Sequence, residues 1–351
     1  MTARDDWLKV VEMRDEGALP IPCRGAVSGA AWLEHGKALE EVVLRYPEVF
    51  GPAASRDDWD KVDELRRVPE GRTDEWGCKW SHAMAGLEGQ VVGHPLADWD
   101  AMGHYQPPDP MVDHEGKPID WEGVRSGLEA SRAGGDVVSY GFEHGFLFMR
   151  LYYLRGFENM MMDMASEPDR VQQLIDMIVR FYERRLERVL PMGLDLVSFA
   201  DDLGMQHALT ISPAMWRRYI KPAYARLFGM CRDAGAHVYL HSDGYLVDIM
   251  GDLMEAGCTI ENPQDLCNGL ENIRRNLKGK VCIDLDIDRQ SVVPFGTPEQ
   301  IDLHVRTFVE ALGSRSGGLT VVWGIYPGTP LENIEAVAAA MCRYRGMFCD
   351  G

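Results

Sequence analysis

A chain of 351 residues with 46% hydrophobic and 26% charged side chains suits one large α/β barrel with insertions, and its composition is that of an ordinary globular protein. With 55 acidic against 36 basic residues the formal net charge is −19, a surface that repels phosphates and anionic lipids and argues against nucleic acid or membrane as partners. There is no apolar run of the roughly 18 residues a membrane helix needs, and MTARDDWLKV lacks the layout of a signal peptide, so a cytoplasmic setting is expected.

Residues 1–85 read as an irregular extension. It holds short helical patches such as Trp32–Tyr46, a polar stretch at Ala53–Asp63 and the segment DEWGCKW at 74–80. Trp76, Trp80, Trp99 and Tyr105 could form a lid, or simply pack as core. From His94 to Gly123 the chain is rich in Pro, Asp and Trp and reads as loop. Beyond it, short apolar runs alternate with long amphipathic segments, the pattern of βα units around a parallel sheet. Strands are predicted at Gln90–Val92, Val137–Tyr140, Leu194–Phe199, Val238–Leu240, Thr259–Ile260, Val281–Ile283 and Leu319–Val322. Ser212-Pro213, Thr297-Pro298 and Thr329-Pro330 mark helix starts, while Gly235, Gly257 and Gly279 mark helix ends. An eighth strand could lie near the N-terminus. No GxGxxG follows the first strand, so a (β/α)8 TIM-type barrel over residues 86–351 is preferred to an open doubly wound sheet. Residues 1–85 would pack on it as extension and lid.

The carboxyl ends of barrel strands carry the chemistry of this architecture, and here they are markedly polar. In chain order they offer Glu143-His144, Asp201-Asp202, His241-Ser242-Asp243, Glu261-Asn262 with Gln264, Asp284 with Asp286, Asp288 and Arg289, and Trp323. His241 directly follows an apolar run, and Asp243 lies two residues on. Such a pair can reach one cation, or the carboxylate can orient the ring. Asp201 and Asp202, by mutual repulsion, could hold a raised pKa and serve as acid or base, or else cap the next helix. The catalytic candidates are therefore Asp201, Asp202, His241 and Asp243, with His241, Asp243 and Glu261 as candidate metal ligands. Glu143, His144, Gln264, Asp284, Arg289 and Trp323 are candidates for substrate binding. The eight cysteines form no CxxC pair, which excludes zinc ribbons and thioredoxin-like redox motifs.

Several segments carry a family resemblance: DEWGCKW (74–80), LRGFENMMMDMASEPDRV (154–171), SFADDLGMQHALTISPAMWRRYIKP (198–222), HVYLHSDG (237–244), ENPQ (261–264), LDIDRQSVVPFGTPEQI (285–301) and TPLENIEA (329–336). Together they resemble the uroporphyrinogen decarboxylase superfamily. The resemblance implies a barrel enzyme of one of two kinds. Decarboxylases of the superfamily act without cofactor on a tetrapyrrole, through an arginine-rich N-terminal motif, a central Asp and a late His. Here only Arg24 stands in PIPCRGAV, and Trp323 stands near the place of the late His. The other kind comprises methyltransferases that work with methylcobalamin or a corrinoid protein and hold zinc in a His-x-Cys site with a later Cys. His241 matches that His, Asp243 stands at the first Cys, and no Cys lies near Trp323. The expectation is a divergent member of the superfamily: a metal-assisted methyltransferase with a corrinoid methyl carrier, a small methyl donor or acceptor, and zinc as the metal. Tetrapyrrole decarboxylation and non-catalytic corrinoid or tetrapyrrole binding are the alternatives, and a homodimer is compatible with each.

Overall fold

The computed structural model describes residues 2–14, 17–51, 71–82, 85, 87, 89–113 and 116–349. The expected polar stretch at Ala53–Asp63 lies outside them. The fold is α/β with one parallel sheet of seven strands, in the order β1-β9-β8-β7-β6-β5-β4. These are β1 (Cys23–Val27), β4 (Ser139–His144), β5 (Leu196–Ala200), β6 (His237–Ser242), β7 (Ile260–Pro263), β8 (Cys282–Asp286) and β9 (Leu319–Ile325). A separate antiparallel ribbon pairs β2 (Lys79–Ser81) with β3 (Gln90–Gly93). No helix among the described residues is long and apolar enough to cross a membrane.

The N-terminal third departs from the sequence reading at one strand and completes it at another. Gln90–Val92, predicted as a barrel strand, belongs instead to ribbon strand β3 (Gln90–Gly93). None of the four is buried, whereas a strand in the middle of a parallel sheet is covered on both faces. The further strand left open near the N-terminus is β1, which pairs in parallel with β9 from Cys23↔Val321 to Val27↔Ile325. Its sequence, CRGAV, has no apolar run to announce it.

The chain forms two compact units. One comprises Met1–Asp5, Gly71–Ser81 and Gln90–Glu261. Here β4, β5 and β6 pair side by side, and Val197, Phe199, Val238 and Leu240 are buried on one face. An aromatic layer covers that face: Phe142 stacks on Phe199 at 5.1 Å, and Phe146, Tyr182, Tyr224 and Phe228 pack around them. Helix Pro168–Val189 supplies Tyr182 from a buried stripe that includes Val171, Leu174, Ile175 and Ile178, the spacing of an amphipathic helix. The segment Asp74–Trp80 is anchored in this unit. Asp74 accepts the backbone N–H groups of Trp76 and Cys78, the indole N–H of Trp80 and a guanidinium N–H of Arg150. Trp76 and Trp80 are thereby core residues, 2% and 5% exposed, not a lid.

The other unit comprises Asp6–Glu70, His82–Gly89 and Asn262–Gly351. All five residues of β8 are buried, including Asp284 and Asp286, so both carboxylates require partners. Helix Pro298–Leu312 starts as its sequence signals: Thr297 and Gln300 form a reciprocal capping box, and Pro298 opens the first turn.

Candidate active site

The site is built at the carboxyl ends of β4, β5 and β6. Along β5 and β6 the register is regular, and Ala200 lies opposite His241. Along β4 it is not. Gly141 lies opposite Ser198, but the next pair is His144 with Ala200, so β4 carries one residue more than its partner. This bulge decides which side chain joins the site. In an unbroken ladder Glu143 would face Ala200, because side chains alternate faces with period two. The extra residue puts His144 there, in line with His241. Glu143 is exposed.

Four polar side chains converge as a result. His144 Nε2 lies 3.3 Å from Asp202 Oδ1, and His241 Nε2 lies 3.2 Å from Asp243 Oδ1. The two imidazole rings are 6.0 Å apart between centroids. The Asp243 backbone N–H donates to Asp202 Oδ1 at 3.2 Å. One ligand atom each from His144, Asp202 and His241 lies within 4.8 Å of the other two. All three side chains are 20–30% exposed, open to a small molecule yet partly desolvated.

The loops that present these groups are locked together by close backbone contact. Gly204 and Gly244 pass so near each other that a Cβ on Gly244 would lie 2.3 Å from the carbonyl of Gly204, and Gly244 also has φ +85°. The Leu203 N–H donates to Ser242 Oγ at 2.9 Å and the Tyr245 N–H to the Met205 carbonyl at 2.8 Å. Asp202 and Asp243 are thus held relative to one another by main chain, not by side-chain packing.

The adjacent Asp201 is fully buried. It accepts the N–H groups of Leu147, Phe148 and Met149 at 2.6–3.0 Å and the Tyr224 hydroxyl at 2.7 Å. That caps the start of helix Phe148–Arg155, which has no side-chain cap of its own at Leu147. Burial lifts its pKa, against the pull of these donors. Glu261 is equally buried, and both its oxygens lack a hydrogen-bond partner. Burial alone pushes its carboxyl well above the ordinary range and so favours the protonated form. It is not one of the grouped ligand atoms around His241. Cys258 is buried too, its thiol directed at the Val238 and Ile260 carbonyls.

In the second unit each of the remaining candidates is engaged by a neighbour. Asp284 pairs with Arg24 at 2.7 Å and accepts the Thr320 hydroxyl. Asp286 lies 3.4 Å from Arg289, whose guanidinium also donates to the Tyr326 hydroxyl at 3.0 Å. Gln264 receives the Cys267 thiol on its side chain at 3.4 Å. Trp323 is 1% exposed and packs against Phe50, with ring centroids 5.8 Å apart. Of these residues the sequence reading did not single out Arg24 as a site residue. Its partner Asp284 lies 260 positions away, and no local signal could have joined them.

Comparison with known proteins bears on the fold and the family. No curated protein matches the sequence. The chain is similar in structure to a methyltransferase from Methanosarcina mazei, with a TM-score of 0.63 and 16% identity, covering 98% of this chain and 99% of that one. A B12-independent methionine synthase from Shewanella sp. W3-18-1 is more distant, with a TM-score of 0.40 and 9% identity over 94% of this chain and 98% of that one. At 16% identity the likeness to the M. mazei protein is one of fold. The family model of uroporphyrinogen decarboxylase (URO-D) matches residues 81–344, three quarters of the sequence and the carboxyl ends of β4 to β9, and the chain belongs to that family.

Proposed function

We propose that this chain is a metal-assisted methyltransferase that exchanges a methyl group between a corrinoid carrier and a small molecule, at the site around His241. The observation that carries this reading is the His241–Asp243 pair, at 3.2 Å, inside a cluster made only of imidazole and carboxylate groups. The M. mazei methyltransferase, similar along nearly the whole chain, supports it. Seven strands of the proposed eight-stranded barrel are paired among the described residues.

The donor set fits a divalent cation such as zinc, since nitrogen and oxygen ligands suit it and leave it more Lewis-acidic than thiolates do. Bound there, the cation would polarise the small molecule's reacting heteroatom. The chain's own groups do the rest. Asp243, two-fifths exposed, orients the His241 ring and is placed to accept a proton from the small molecule. Asp202, fixed by the Asp243 N–H, holds His144 in turn.

A polycarboxylate tetrapyrrole would need several arginines facing it as bidentate partners. Arg24 and Arg289 are already matched to Asp284 and Asp286. Decarboxylation is the less favoured reading on that ground.

The test is to incubate zinc-loaded protein with methylcob(III)alamin and a panel of thiols, alcohols and amines, following the corrinoid spectrum, with uroporphyrinogen supplied in parallel. Demethylation of the corrinoid is expected, falling to background in His241→Ala. Carbon dioxide released from the tetrapyrrole with the methylcobalamin intact would overturn the proposal.

A further inference from the structure

We infer that the protein ligands of a divalent first-row cation in this chain are His144, Asp202 and His241, with Glu261 outside the set. The inference deepens the reading above and rests on it only for the ion's purpose. The ion's place follows from the side chains alone.

Distance is the first ground. A charged histidine–carboxylate hydrogen bond closes to about 2.7–2.9 Å, and the buried His304–Asp265 pair of this same chain does so, at 2.7 Å. His144–Asp202 stays open at 3.3 Å. Two ligand atoms each about 2.0–2.1 Å from one ion, at tetrahedral or octahedral angles, stand roughly 2.9–3.4 Å apart. The His144–Asp202 separation is an edge of such a polyhedron.

Backbone geometry is the second. The β4 bulge exchanges an exposed glutamate for His144 on the face that bears His241, and bulges re-aim side chains beside active sites. Each ligand comes from a different strand end, and Asp202 is fixed by the Asp243 N–H and the adjoining Gly204–Gly244 contact. Three ligands so placed leave coordination positions for a small molecule, the mark of a catalytic and not a structural ion. Asp243 reaches His241 at 3.2 Å and is grouped with it apart from His144 and Asp202.

Chemistry is the third. Two imidazoles and one carboxylate suit zinc, cobalt(II) or ferrous iron, and no thiolate takes part. Glu261, buried with both carboxyl oxygens lacking a hydrogen-bond partner, is not among the grouped atoms.

The experiment uses full-length, ion-free protein and the metal alone, with Zn2+ and Co2+ titrated against a chromophoric competitor. One ion per chain is expected. His144→Ala, Asp202→Ala and His241→Ala should each weaken binding at least about tenfold, the low end of what even outer-shell changes cost. Glu261→Gln should bind within about twofold of the parent. The Co2+ spectrum should show ligand-field bands without sulfur charge transfer, unchanged in Cys258→Ser. Free imidazole should restore the ion in His144→Ala, which shows that the variant is folded. Parent-like affinity in His144→Ala, loss of the ion in Glu261→Gln, or a sulfur band would each overturn the ligand set. Binding as expected without corrinoid demethylation would sink the methyl-transfer reading and leave the ion site standing.

Discussion

Asp201 and Asp202 are indistinguishable in sequence, yet their surroundings give them opposite work. Four donors surround the buried Asp201 carboxylate, so it fixes a helix start and the strand end beside it. Asp202, one peptide on, faces the two histidines. The sequence could pick out the pair and could even name capping as one outcome, but which residue turns which way depends on Tyr224 and on a helix some fifty positions earlier. Glu261 was legible as polar but not as isolated. Its folded-state pKa lies above its unfolded value of about 4.3. Between those two values the folded state binds more protons, so its stability contribution falls as pH rises, with a slope approaching about 1.4 kcal/mol per pH unit. Glu261→Gln, which cannot ionise, should match the parent near pH 4 and become progressively more stable than it toward pH 8. Urea unfolding midpoints across that range measure this, and parallel curves would show that the carboxyl is paired after all.

At the level of elements, sequence periodicity located the strands from β4 onward to within a few residues, because apolar runs between helices have no other plausible fate. It failed where pairing, not hydropathy, makes the strand. CRGAV becomes β1 only because β9 offers it an edge, and QVVG becomes a ribbon strand because nothing buries it. The bulge was equally invisible, since it is a relation between two strands. The crossing of Gly204 and Gly244 is the other device of this scale. A methyl group at residue 244 would meet main chain at 2.3 Å and a backbone at φ +85°. Neither can yield without separating the loops that carry Asp202 and Asp243. Gly244→Ala should therefore cost about 1–3 kcal/mol of stability and also weaken the ion, whereas Gly251→Ala, with open space at its Cβ, should do neither. Thermal melts combined with metal titration separate the two effects. Unchanged affinity in a destabilised Gly244→Ala would show that the crossing supports the fold alone.

For the molecule as a whole, the family was legible before any coordinates, because its motifs are strung along the chain in order and the family model spans the same segments. The reaction was not, because a few side chains at the strand ends decide it and they depart from both known motif sets. Net charge is a property of this scale as well. With −19 at pH 7 the folded chain repels itself. Salt shortens the screening length from about 30 Å at 0.01 M to about 8 Å at 0.15 M, so the thermal midpoint should rise over that interval, most of all in ion-free protein. A midpoint that falls with salt would mean that local pairs such as Arg217–Asp252 and Lys221–Asp252 outweigh the global repulsion.

The extra residue in β4 has a consequence for how such a site can change over time. Loss of Glu143 would restore a plain ladder with His144 still opposite Ala200, whereas loss of His144 would bring Glu143 to the same place. The position thus toggles between a nitrogen and an oxygen donor by a single codon deletion, with no substitution. In the first case the metal preference stays with zinc-like ions, and in the second it moves toward the harder ions that favour oxygen. Relatives that differ here by one residue in length would differ in inorganic chemistry while keeping every letter of their flanking motifs.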